Sequence, residues 1–239
     1  MDSTGASWLP RRCGANGERL TTERYNPGMK RIPRIAFAWL LACVALAASA
    51  AAQPQAPVLL VLGDSISAGY GLAHGEGWVS LLSQRLARDR YRERVVNASI
   101  SGDTTAGGRA RLPALLREHR PSIVVIELGG NDALRGGNLD ATRANLDAIV
   151  AAVQAAHAKP LIVGITVPPN YGAAYARRFE ALFAEVAKTR LAALVPYMFS
   201  GFGDDLAQFQ ADRIHPIAEA QAHILDNVWP ALVPLLARR

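Results

Sequence analysis

From residue 58 onward, short strand-like apolar runs alternate with longer stretches in which apolar residues recur every three or four positions. The runs cover residues 58–62, 94–98, 123–128, 161–167 and 191–195. Runs of that length, bounded by Gly, Asn and Asp, predict strands, and the unbroken run 58–62 predicts one buried on both faces. The helical patterns between them span 78–88, 110–118, 142–156, 175–187 and 217–236. The last has the clearest stripe: Ile217, Ala220, Ile224, Leu225, Val228, Leu232 and Leu235 follow an i, i+3, i+4, i+7 spacing. Strands alternating with helices predict an α/β fold, a parallel five-stranded sheet covered by helices on both faces.

The pattern changes ahead of residue 53. Residues 1–28 are polar without an apolar period, and a basic stretch, Met29-Lys30-Arg31-Ile32-Pro33-Arg34, follows. An apolar stretch to Ala48 and the small-x-small triplets Ala48-Ser49-Ala50 and Ala50-Ala51-Ala52 complete the pattern of a secretory signal peptide over 29–52. We expect translation to start at Met29 and the mature chain, 53–239, to form a single domain in the periplasm or outside the cell. An uncleaved anchor is the alternative, because residues 35–52 are apolar apart from Ser49. The leader carries seven of the 26 Lys and Arg and three of the 20 Asp and Glu, so the formal charge of +6 falls to +2 without it. That balance offers no case for a nucleic-acid partner. Both cysteines, Cys13 and Cys43, lie in the leader. The mature chain therefore has no thiol nucleophile, disulfide or cysteine-bound metal.

The chemistry-bearing residues gather in four loops. After the first strand comes Gly63-Asp64-Ser65, where a serine hydroxyl can project from the carboxyl edge of the sheet, the edge at which open α/β folds bind ligands. After the second comes Asn97-Ala98-Ser99-Ile100-Ser101-Gly102-Asp103-Thr104, and after the third Gly129-Gly130-Asn131-Asp132. The fourth, Asp212-Arg213-Ile214-His215-Pro216, precedes the closing helix, with Pro216 suited to its first position. Asp212 and His215, three apart, allow a carboxylate to orient one imidazole nitrogen while the other faces outward, the arrangement of a general base. Gly102 can offer an unobstructed N–H, and Asn131 an amide, to a developing oxyanion. Each residue alone has an ordinary reading as a helix cap or turn residue. Together they make a full inventory for acyl transfer.

The four loops resemble the four sequence blocks of the GDSL, or SGNH, hydrolases, and the similarity covers nearly all of residues 57–236. They are most similar to the exported bacterial acyl-CoA thioesterase, lysophospholipase and arylesterase subgroup, in the stretches 97–104, Glu127-Leu128-Gly129-Gly130-Asn131-Asp132 and Pro169-Asn170-Tyr171-Gly172. Ile66 stands where the eponymous motif has leucine. The resemblance implies a flavodoxin-like three-layer α/β/α sandwich. It also implies Ser65 as nucleophile, Asp212 and His215 as its triad partners, and an oxyanion hole from the Ser65 and Gly102 N–H groups and the Asn131 side chain. No cofactor or metal is implied.

Other nucleophile and nucleotide folds fit less well. The second glycine of G-x-S-x-G is absent at Ser67, no G-x-G-x-x-G follows a strand, and no P-loop occurs. The expectation is a serine esterase for small-molecule acyl esters or thioesters. A carbohydrate O-acetylesterase is the alternative within enzymes, and a non-catalytic lipid-binding protein the alternative outside them. Ile100, Leu134, Val167, Pro168 and Tyr171 are the expected apolar wall for an acyl chain, since they follow the carboxyl ends of the second, third and fourth strands. Gly136-Gly137 suggests mobility in the 133–138 loop.

Overall fold

The computed structural model describes residues 56–237 except Pro168. The expected leader, 1–52, and Pro168 lie outside the described residues. Five parallel strands form one sheet: β1 (Val58–Gly63), β2 (Arg94–Asn97), β3 (Ile123–Glu127), β4 (Lys159–Val163) and β5 (Ala193–Val195), in the order β2-β1-β3-β4-β5. The chain runs outward from β1 to β2, then crosses back over β1 to β3. That reversal opens a crevice at the carboxyl ends of β1 and β3, the topological switch point of a doubly wound sheet.

Among the described residues, seven α-helices accompany the strands: α1 (Ser65–Ala68), α2 (Trp78–Arg88), α3 (Thr105–His119), α4 (Gly130–Leu134), α5 (Leu139–Ala155), α6 (Ala173–Arg190) and α7 (Gln221–Leu232). Alternation along β1 divides the core. Leu59 and Val61 join Trp78, Leu82 and Leu86 of α2 and Ile224, Val228 and Leu232 of α7. Leu60 and Leu62 join Leu112 of α3, Leu146, Ile149 and Val153 of α5, and Phe179 and Phe183 of α6. The expected three-layer sandwich is therefore present, with two long helices on one face and three on the other. Each fully buried Leu or Ile of the sheet contributes about 1.5–3 kcal/mol, so the edge bearing the loops rests on a rigid base.

Several boundaries differ from the apolar pattern. β4 stops at Val163, not 167: the Gly164 N–H still bonds to the Val195 carbonyl, but the Gly164 carbonyl accepts from Met198, one residue past the ladder position, and the pairing ends. β5 begins at Ala193, since Leu191 takes a left-handed conformation that ends α6. α3 begins at Thr105, five residues before the apolar period, with Thr104 as its cap. Gly107 and Gly108 resemble turn residues in the sequence, yet they lie inside the helix. A side chain on Gly108 would strike Leu128, so the helix can approach the sheet only there without one. The expected closing helix, 217–236, is three pieces: a 3₁₀ turn at Ala218–Ala220, α7, and a second 3₁₀ turn at Val233–Leu235. Pro216 is not the first helical residue. It forms an antiparallel bridge with Phe209, which closes the loop holding Asp212 and His215.

Candidate active site

At the end of β1 the chain turns at Asp64, whose carboxylate Oδ1 accepts the Ile66 N–H at 3.0 Å and starts the single turn of α1. Ser65, half-buried, is thereby held at the edge of the crevice. The Phe209–Pro216 loop is pinned by hydrogen bonds from the Gln210 N–H to the His215 carbonyl and from the Ile217 N–H to the Gln208 carbonyl. Within it, Asp212 Oδ1 accepts the backbone N–H groups of Ile214 (2.9 Å) and His215 (3.1 Å), which leaves Oδ2 to meet His215 Nδ1 at 2.6 Å. The other ring nitrogen, Nε2, lies 2.8 Å from Ser65 Oγ. Partial burial works to raise the Asp212 pKa but is outweighed by the hydrogen bonds from Ile214, the imidazole and the His215 backbone, so it lies below the ordinary range. The carboxylate is ionised at neutral pH and able to hold the imidazole in the tautomer that presents a bare Nε2 to the serine. The Tyr70 ring packs 4.5 Å from the imidazole and limits its rotation.

The two other expected donors flank the serine. Gly102 has φ +79°, a conformation strained for any residue with a Cβ. Its loop is tied to the end of β1 by a hydrogen bond from Ile100 N–H to the Gly63 carbonyl, and Arg135 Nη2 donates to the Gly102 carbonyl at 3.0 Å. Arg111 of α3 braces the same region: its guanidinium donates to Asp103 Oδ2 (2.8 Å), to the Gly63 carbonyl (3.3 Å) and to the Ala98 carbonyl. Asn131, in α4, donates one amide hydrogen to Asp64 Oδ2 at 3.0 Å, leaving the second for another acceptor. Ser65, Gly102, Asn131, Asp212 and His215 are thus carried by the loops at one sheet edge.

A cavity of about 520 Å³ opens beside this cluster. It adjoins Asn131 through Gly130 and His215 through Ile214, and its walls are mainly Leu134, Ile165, Val167, Ala176, Phe199 and Phe209. Of the expected wall residues, Leu134 and Val167 line it. Ile100 does not; it is 53% exposed. Tyr171 does not either, because its hydroxyl turns toward α4 and donates to the Leu134 carbonyl at 2.8 Å. Tyr175 donates similarly to the Gly137 carbonyl at 3.1 Å, so the 133–138 segment is tied to α6 and the turn before it. Ile165, Phe199, Phe209 and Ile214 were missed from sequence. Ile165 lay inside an assumed strand, and the other three belong to a segment without a helical or strand period. No group of three His, Cys, Asp or Glu side chains able to hold a metal ion occurs among the described residues.

Comparison with known proteins assigns the scaffold. Residues 61–223 match the GDSL-like Lipase/Acylhydrolase family. The chain belongs to that family. This GDSL-like acylhydrolase is 53% identical over 196 residues to Esterase TesA of Pseudomonas aeruginosa, covering 82% of this chain and 96% of the relative. It is 40% identical over 200 residues to thioesterase 1/protease 1/lysophospholipase L1 of Escherichia coli, covering 84% and 95%. A crystal structure of TesA superposes with a TM-score of 0.74 at 53% identity, covering 75% of this chain and 99% of that one. The GDSL-like acylhydrolase is accordingly a carboxylic ester hydrolase acting on small-molecule esters.

Proposed function

We propose that this protein is an exported serine esterase that cleaves acyl esters and thioesters, with a preference for medium or longer acyl chains, and works without a cofactor. The observation that carries the reading is the Asp212–His215–Ser65 relay, with 2.6 Å and 2.8 Å contacts, beside an apolar cavity. His215 Nε2 takes the Ser65 proton as Oγ attacks the acyl carbonyl carbon, and Asp212 stabilises the imidazolium. The oxyanion is received by the Ser65 and Gly102 N–H groups and by the free amide hydrogen of Asn131. The intermediate collapses, the alcohol or thiol leaves with the proton from Nε2, and a water deprotonated by His215 releases the acid.

The cavity supports the acyl preference. Each methylene buried against Leu134, Ile165, Val167 and Phe199 adds about 0.8 kcal/mol, so a few carbons alter kcat/KM visibly. The test is a hydrolysis profile across p-nitrophenyl esters of increasing length, run with the native protein, Ser65→Ala and Leu134→Ser. We expect Ser65→Ala to be inactive and Leu134→Ser to flatten a medium-chain optimum. An active Ser65→Ala refutes the nucleophile. An acetyl optimum with an inactive Ser65→Ala moves the substrate to small O-acyl groups, as in the carbohydrate O-acetylesterase alternative. Export is supported by the leader alone, and amino-terminal sequencing of periplasmic protein tests it. Among the described residues, no helix is long and apolar enough to cross a membrane.

A further inference from the structure

The last residue of β3 is a glutamate in surroundings that disfavour a carboxylate. Glu127 has no exposed surface and follows four fully buried apolar residues. Among the described residues it takes part in no ion pair. Its Oε2 accepts from Ser67 Oγ at 2.7 Å and from the Asp64 N–H at 3.3 Å. Its Oε1 is buried and receives no hydrogen bond. The charged group acting on it is a second carboxyl, that of Asp64, which is itself 2% exposed.

Two buried carboxyl groups held this near each other, the Asp64 N–H bonding to Glu127 Oε2, do not both ionise. An oxygen that no donor reaches is anomalous as an acceptor but ordinary as an O–H. The proton then belongs on Glu127, because both Asp64 oxygens already accept, Oδ1 from the Ile66 N–H and Oδ2 from the Asn131 amide. We propose that Glu127 is a positioning residue for the oxyanion hole: it remains a neutral acid, donates Oε1–H to the Asp64 carboxylate, and so fixes the acceptor that orients the Asn131 amide. This inference rests on the triad reading above.

The electrostatics agree in direction. Loss of hydration, followed by the negative charge of Asp64, pushes the Glu127 pKa well above the carboxylate range. Burial raises Asp64 to about 6 against the hydrogen bonds from Ile66 and Asn131, the positive influence of His215 and the contact with Glu127. The other charged group close by is Arg111 of α3, which reaches the neighbouring Gly63 carbonyl. Above about pH 6 the pair therefore carries one charge, on Asp64, with the proton on Glu127.

The test compares Glu127→Gln, which keeps an acceptor for Ser67 and an N–H donor for Asp64, with Glu127→Leu, which keeps only volume. Rates are referred to serines titrated by a phosphonate ester, so misfolded molecules are not counted. Glu127→Gln is expected to retain kcat within about threefold. Glu127→Leu is expected to lose about tenfold or more in kcat at unchanged KM, part of the hundredfold to thousandfold for losing an oxyanion donor outright. If Glu127→Leu does not fold, the acid limb of kcat in Glu127→Gln decides. It stays in place if Glu127 is already neutral, and moves down if Glu127 is the ionised partner. Equal losses in both variants, a fully active Glu127→Leu, or a moved limb each overturn the proposal. Ser65→Ala assayed beside them separates the two levels: if it is active the triad reading fails, and if it is inactive any failure is confined to Glu127.

Discussion

Replacing Arg111 with Met should weaken both the fold and the site. The guanidinium connects the ends of β1 and β2 to the Gly102 loop, with side-chain exposure of 20% for Arg111 and 10% for its partner Asp103. Met preserves the aliphatic stem but removes every donor and leaves a mostly buried carboxylate without its cation. Breaking one side of a buried pair costs about 3–5 kcal/mol. Asp103 keeps the Thr104 N–H at 2.9 Å and some access to water, so the lower end, about 3 kcal/mol, is the appropriate figure. For a domain of this size that corresponds to a fall in Tm of roughly 6–12 °C. With the Gly102 loop loosened, kcat should fall about tenfold with little change in KM. Calorimetry and steady-state kinetics on the same preparation measure both, and Arg111→Lys, which keeps charge but not the fork, should fall between. Adding Asp103→Asn to Arg111→Met should restore part of the stability, because no charge is then left unpaired. A Tm within about 2 °C of native, or a double variant less stable than Arg111→Met, refutes the brace.

Asn131→Ala should reduce kcat by roughly a hundredfold to a thousandfold at similar KM. It also removes a donor that helps hold the Asp64 pKa down; a destabilised but fully active variant shows that Asn131 serves the turn alone. Arg213, between Asp212 and His215, sits at φ +58°, which costs about 1–2 kcal/mol for a residue with a Cβ. Arg213→Gly should therefore raise the urea midpoint by the equivalent of about 0.5–1 kcal/mol after the added flexibility of the unfolded chain is subtracted, and a lower midpoint contradicts that account.

The pattern of apolar positions revealed the layers because burial on both faces leaves a continuous mark, as at 58–62. It overran β4 because Ile165 and Val167 are apolar for a different reason, lining the cavity rather than the sheet. The candidate nucleophile, its partners and the candidate donors stood out as local motifs, since each sits in a short loop with distinctive residues. Glu127 and Arg111 were not, as their partners lie 60 and 48 positions away and only the folded sheet brings them together. Tyr171 misled for a related reason. An aromatic ring near a strand end suggests an apolar wall, whereas the hydroxyl and its carbonyl partner at Leu134 decide its direction.

His215 follows Ser65 by 150 residues, and the Phe209–Pro216 bridge that shapes its loop forms near the carboxyl terminus. A chain emerging amino end first holds Ser65 and the loops of Gly102 and Asn131 long before it holds His215. Until roughly the last thirty residues arrive, the growing polypeptide has the sheet and Ser65 but not the Asp212–His215 pair, so the proposed relay waits on near-complete synthesis.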